Sequence, residues 1–200
     1  MSVSDRLLEN PLVYKLWQGP FVEQKLAPLR RSGAIANARR VLDVGCGPGT
    51  NTASFARSEY VGVDINPKYV EYARRRFGRE FVAADITQST LPGSGEFDFI
   101  LVNSMLHHID RDAAGVLLRN LSMLLSMDGY VHVLDIVLPE RQWSVPWILA
   151  RLDRGDFVRP LDELFTLVNN AFEIADFQRY PLSAGGITLW DFVYFKGRSR

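Results

Sequence analysis

From Arg39 onward the chain alternates two kinds of segment. RRVLDVG, YVGVDI, EFVAAD, FDFILVNS and YVHVLDI are short runs, apolar almost throughout, each bounded by Gly, Pro or Asp. Between them lie longer stretches apolar on one side only, among them Lys68–Phe77 and Arg111–Leu125. Strands without polar alternation are buried on both faces, and their regular exchange with amphipathic helices predicts a parallel sheet covered on both sides. Residues 1–38 have another rhythm: Leu7, Leu8, Leu12, Leu16, Phe21, Leu26 and Leu29 recur at helical spacings, interrupted by Pro11, Gly19-Pro20 and Pro28. After Pro146 a helix is expected over Leu161–Ala171, with Asp162 and Glu163 in its first turn. FEIADFQRYPL and LWDFVYFKG then follow, joined by SAGGIT, whose Gly185-Gly186 pair predicts a hairpin.

The chemistry concentrates where these strands end. Val41-Leu42-Asp43-Val44-Gly45-Cys46-Gly47-Pro48-Gly49-Thr50 runs from a strand into a glycine-rich turn, and a helix is expected to follow. Glycine serves where φ is positive or where a ligand approaches the main chain. A dinucleotide fingerprint wants G-x-G-x-x-G. Here Thr50 stands at the third glycine position and Pro48 removes a donor, so a cationic ligand with an amino-acid tail suits Asp43 and this loop better than a diphosphate. Asp64 ends the second run, at the offset where an acid accepts ribose hydroxyls. Asp85 ends the third, within reach of an exocyclic amine.

These segments resemble the motifs of class I S-adenosylmethionine-dependent methyltransferases, over residues 39–136 by motif and 172–197 by architecture. The closest likeness is to small-molecule and lipid-type members. The resemblance implies a Rossmann-like α/β fold: seven strands, five parallel plus a C-terminal antiparallel hairpin, helices on both faces and an N-terminal helical lid. It also implies S-adenosyl-L-methionine as donor and S-adenosyl-L-homocysteine as product. Cofactor contacts are expected from Asp43, Gly45, Cys46, Gly47, Gly49, Asp64, Ile65, Asp85, Ile86, Asn103 and His108, with Tyr14 and Trp17 from the lid. One domain is expected over 1–200: a helical cap (1–38), a cofactor-binding core (39–136), an acceptor-side insertion (137–172) and a hairpin (173–200).

On the acceptor side, Asn103-Ser104-Met105-Leu106-His107-His108 leaves the fourth strand. Asn103 and His107 are spaced to share a helical face, whereas adjacent His107 and His108 cannot both point inward. By resemblance to cyclopropane-forming enzymes His107 is turned to the substrate, and His108 packs or caps. Asp135 is placed to orient His107 or to contact the acceptor, and His107, Asp135 and Asn103 are the catalytic candidates. A base is needed only for an acceptor protonated at working pH. Trp143, Arg154 and Arg159 in the insertion suit an acceptor carrying a carboxylate or phosphate. Surface pairing with Asp153, Asp156 and Asp162 is the alternative. O-, N- and C-methylation stay open, as do a non-catalytic cofactor-binding module and an aminopropyl-type transferase.

Bulk composition narrows the rest. Lys plus Arg and Asp plus Glu are equal at 23 each, without the basic excess that nucleic-acid binding needs. Arg74–Arg76 and Arg79 read as a solvated helix face. The single cysteine, Cys46, excludes an intramolecular disulfide and a multi-cysteine zinc cluster. No acid-rich constellation calls for magnesium, and no metal is expected. No run approaches the roughly 20 apolar residues of a membrane span, and MSVSDRLLEN lacks a secretory core, so a cytoplasmic protein is expected.

Overall fold

The computed structural model describes residues 21–88, 96–153 and 155–200. The short helices α1 (Val22–Lys25), α2 (Ala27–Arg31) and α3 (Ala34–Asn37) precede the first strand. Strands β1 (Arg40–Val44), β2 (Glu59–Asp64), β3 (Glu80–Ala83), β4 (Phe97–Asn103), β5 (Leu125–Ile136), β6 (Glu173–Ala184) and β7 (Ile187–Arg198) form one sheet in the order β3-β2-β1-β4-β5-β7-β6. Neighbours among β1–β5 pair in parallel, and β7 is antiparallel to both β5 and β6. The longer helices are α4 (Pro67–Phe77), α5 (Arg111–Leu124), α6 (Val145–Leu152) and α7 (Leu161–Ala171). No helix among the described residues is long and apolar enough to cross a membrane.

The near-continuous apolar runs are explained by two cores, one on each sheet face. Leu42, Val44, Ile100, Val102, Val131 and Val133 pack with α5 and α7, while Val41, Phe99, Leu101 and Leu134 pack with α4 and the N-terminal helices. The two-residue period of each strand divides its side chains between the faces, and both are covered. Local signals set the helix ends. Asn66 caps α4 at Lys68 N (3.0 Å) and Gly78 closes it at φ 60°; Asp110 caps α5 at Ala113 N (2.8 Å). Gly185 and Gly186, at φ 56° and 78°, make the two-residue hairpin turn between β6 and β7.

Two expectations are corrected. The full helix after the glycine loop is only a 3₁₀ turn, Thr52–Phe55. The chain between Gly49 and Glu59 is short, and Arg79 closes that stretch by donating to the carbonyls of Phe55, Ala56 and Ser58 at 3.2, 2.7 and 2.7 Å. Asn103 and His107 do not share a helical face either: Asn103 ends β4, Ser104 takes φ 56°, and only Leu106–His108 coil as a 3₁₀ turn. The described end of the N-terminal segment is tied to the hairpin. Gln24 exchanges two 2.9 Å bonds with the Ser183 backbone, and Tyr180 Oη donates to Lys25 O at 2.7 Å.

Candidate active site

Strand order reverses between β1 and β4, and open α/β sheets bind ligands at the carboxyl ends beside such a switch. A cleft of about 630 Å³ lies there, within the range of roughly 300–1,000 Å³ for small-molecule sites. Gly45 and Gly47 form one wall, Asp64, Ile65 and Tyr69 another, Asp85–Thr87 a third, and Ser104, Met105 and His108–Asp110 the last.

The glycine loop is built for close approach. Gly45 and Cys46 both donate to Val63 O, at 2.8 and 3.0 Å, anchoring the loop to β2. Gly45 has φ 69°, and a Cβ there would sit 2.9 Å from Met105 Cγ. Gly47 donates to Asp64 Oδ2 at 2.8 Å, and Asn66 N donates to Oδ1 at 2.8 Å. Each oxygen keeps a second lone pair for a ligand hydroxyl. Burial pushes the Asp64 carboxyl up, opposed by those two backbone donors. Ile65 stands 68 % exposed at the lip, an apolar surface suited to a planar base, with the buried Ile86 opposite. Asp85 accepts from Thr87 N and Oγ1 and from Gln88 Nε2 at 3.0, 2.6 and 2.9 Å, which holds its carboxyl low.

Other expected residues lie behind the walls. Asp43 is fully buried and does not line the cleft; it accepts from Tyr60 Oη at 2.6 Å and from Asn51 Nδ2 at 3.2 Å. Burial pushes its carboxyl up to about 7. Cys46 is buried under the loop with its thiol pushed up by desolvation, and Gly49 packs on Phe77. Asn103 Nδ2 donates to Asn51 Oδ1 at 3.2 Å, and its Oδ1 accepts from Ser104 Oγ at 3.1 Å.

The two histidines are placed differently. His108 is exposed and lines the cleft, whereas His107 is buried, its Nδ1 bonded to Asp135. Asp135 also accepts from Leu106 N at 2.7 Å and Ile136 N at 2.8 Å. Burial alone would raise its carboxyl; His107, the Ile136 N donor and the nearby His108 hold it below the usual range. His107 Nε2 faces Asp153 Oδ1 at 3.4 Å. Lys25, nearly buried, donates from Nζ to Ser104 Oγ at 2.8 Å, and desolvation lowers it to about 8 against the pull of Asp135 and Asp153.

Arg159 does not present its guanidinium to the cleft. Nη1 donates to Leu106 O (2.7 Å) and Phe157 O (3.1 Å), and Nη2 to Ile109 O (2.6 Å). Trp143 is 76 % exposed and packs on Trp147, away from the cleft wall. Tyr14, Trp17 and Arg154 lie outside the described residues. Lys25, Met105, Asp153 and Phe157 were missed. Met105 sits inside the scanned loop and is apolar; the others are far along the chain and carry no local signal.

A family model described as a methyltransferase domain matches residues 41–129. An uncharacterised methyltransferase of Mycobacterium tuberculosis is 39% identical over 104 residues, covering 50% of this chain and 51% of that protein. The chain thus spans about half the length of the mycobacterial relatives it matches. The ubiquinone biosynthesis O-methyltransferase of Yersinia enterocolitica is 28% identical over 149 residues, covering 66% of this chain and 60% of that protein. Among solved structures, the N-methyltransferase NodS of Bradyrhizobium japonicum, in complex with S-adenosyl-L-homocysteine, superposes with a TM-score of 0.74. It is 20% identical and covers 98% of this chain and 95% of that one, a likeness of fold.

Proposed function

We propose that the chain is a class I S-adenosylmethionine-dependent methyltransferase and transfers the methyl group of S-adenosyl-L-methionine to a small or lipid-like acceptor. The observation that carries this is the pairing of Gly47 N with Asp64 at the mouth of the cleft, with Ile65 beside it. A glycine-rich loop for an amino-acid tail, a carboxylate for ribose hydroxyls and apolar faces for a purine are the set this ligand needs. Bound there, it supplies a methyl group on a sulfonium, already activated, so the protein's work is to position the nucleophile and exclude water.

The acceptor enters at the histidine loop. Asp135 fixes His107 through Nδ1, leaving Nε2, beside Asp153, as the ring atom that an acceptor's proton would meet. An acceptor with a hydroxyl fits this arrangement, as does the likeness to an O-methyltransferase. Asn103, its amide spent on Asn51 and Ser104, positions the loop. Arg159, its donors spent on carbonyls, does the same and leaves recognition of an acceptor anion to other groups.

Calorimetric titration with S-adenosyl-L-methionine and S-adenosyl-L-homocysteine tests the reading. Both should bind, and Asp64→Ala should weaken each at least tenfold, about 1.4 kcal/mol. Folded protein that binds neither would overturn it.

A further inference from the structure

His107 lies between two carboxylates. Its Nδ1 is bonded to Asp135, and its Nε2 faces Asp153 Oδ1, 3.4 Å away. The spacing suits a metal: zinc bonds to N and O of roughly 2.0–2.2 Å place tetrahedral ligands about 3.3–3.5 Å apart. Asp153 Oδ1 also accepts from Gly155 N at 3.0 Å, which fixes its position. His108 supplies a third donor, and the donor atoms of His107, His108 and Asp153 all lie within 4.8 Å of one another. A χ adjustment of the exposed His108 would close the remainder.

We propose that His107, His108 and Asp153 bind a divalent transition-metal ion such as Zn²⁺ at the rim of the cleft, with open coordination toward the acceptor. The outer contacts support it. A carboxylate on the far nitrogen of a ligating histidine is the usual partner of such ligands, and Asp135 is itself fixed by two backbone donors. His107 is closely packed: a Cβ on Gly155 would sit 2.2 Å from its Cδ2. Two imidazoles and one carboxylate favour zinc, manganese or iron over magnesium. An oxygen-bearing acceptor is the class of ligand that would occupy the open position. This last point rests on the methyl-transfer reading; the metal site does not.

The tag-free, chelator-treated protein is titrated with Co²⁺, read by visible absorption and calorimetry. Background is low, since the only other histidine, His132, is buried. One equivalent should bind, and His108→Ala and Asp153→Ala should each weaken binding at least tenfold. Asp135→Asn should weaken it about 10–100-fold. No uptake by folded protein, or uptake unchanged in both surface variants, overturns the site. S-adenosyl-L-homocysteine affinity on the same samples separates the two readings. Intact nucleoside binding without cobalt uptake removes only the metal, and cobalt uptake without nucleoside binding removes only the transfer reaction.

Discussion

Replacing Arg159 by Ala should destabilise the protein strongly and loosen a cleft the side chain never enters. The guanidinium is 5 % exposed and spends its donors on three carbonyls, those of Leu106, Phe157 and Ile109. Each carbonyl left buried without a partner costs about 1–3 kcal/mol. Water reaching the cleft side would restore part, so the net loss is about 3–5 kcal/mol, typical of breaking a buried charged network. Against a stability of roughly 5–15 kcal/mol the variant still folds. Urea unfolding reads the effect: with a slope of about 2–3 kcal/mol/M the midpoint should fall by about 1–2 M at unchanged slope. Met105, His108 and Ile109 line the cleft, so S-adenosyl-L-homocysteine affinity should fall as well. A midpoint shift equivalent to less than about 0.5 kcal/mol, the range of ordinary surface changes, would refute the reasoning. It would return Arg159 to the role of free anion-binding group.

Gly49→Ala combines φ 80° with a Cβ 2.5 Å from Phe77, whereas at Gly185, φ 56°, a Cβ meets nothing. Thermal melts should show a cost of about 1–2 kcal/mol for Gly185→Ala, from backbone alone, and more for Gly49→Ala by about 1–3 kcal/mol of overpacking. Asp43, raised by burial to about 7, keeps its proton in the folded state over a range where the unfolded chain has lost it. Its contribution to stability is therefore full below about pH 4 and lost as pH rises toward 7, by up to about 4 kcal/mol. Asp43→Asn should remove that component, so wild-type stability minus variant stability should fall between pH 4 and 7; a flat difference would refute the assignment.

How far the chain discloses itself depends on how local the cause is. Helix α7 was bounded correctly because its first-turn acids and apolar period lie within the helix. The hairpin turn was legible because two adjacent glycines supply both positive φ angles. Asp64 was legible because the glycine loop and Asp64 end adjacent parallel strands, β1 and β2, and the structure joins them through Gly47 N. The acceptor side was not. His107 and His108 are neighbours with identical side chains, and what separates their roles is Asp135, on another strand. Arginine in an aspartate-rich segment reads as ligand binding or surface pairing; only the fold brings the Leu106 and Ile109 carbonyls to Arg159. The arginine run 74–76 with Arg79 read as solvated, yet Arg74 and Arg79 bond backbone carbonyls of β3 and of the turn before β2.

Asp43 and Lys25, which approach the site from opposite ends, belong to one polar chain. Lys25 Nζ donates to Ser104 Oγ, Ser104 Oγ donates to Asn103 Oδ1, Asn103 Nδ2 donates to Asn51 Oδ1, and Asn51 Nδ2 and Tyr60 Oη donate to Asp43. Each partner is needed, because a buried polar group without one costs more than the bond contributes. The chain explains three oddities together. It gives Ser104 a reason to hold φ 56° without being glycine, since that turn aims its hydroxyl at Lys25. It accounts for a buried acid at the end of β1 that never reaches the cleft, because Asp43 receives the last two donors. It also accounts for the missing helix after the glycine loop, where Asn51 is drawn inward to link β1 with β4. The N-terminal segment and the glycine loop are thus fixed to the same strand end, and the cleft between them is shaped from behind.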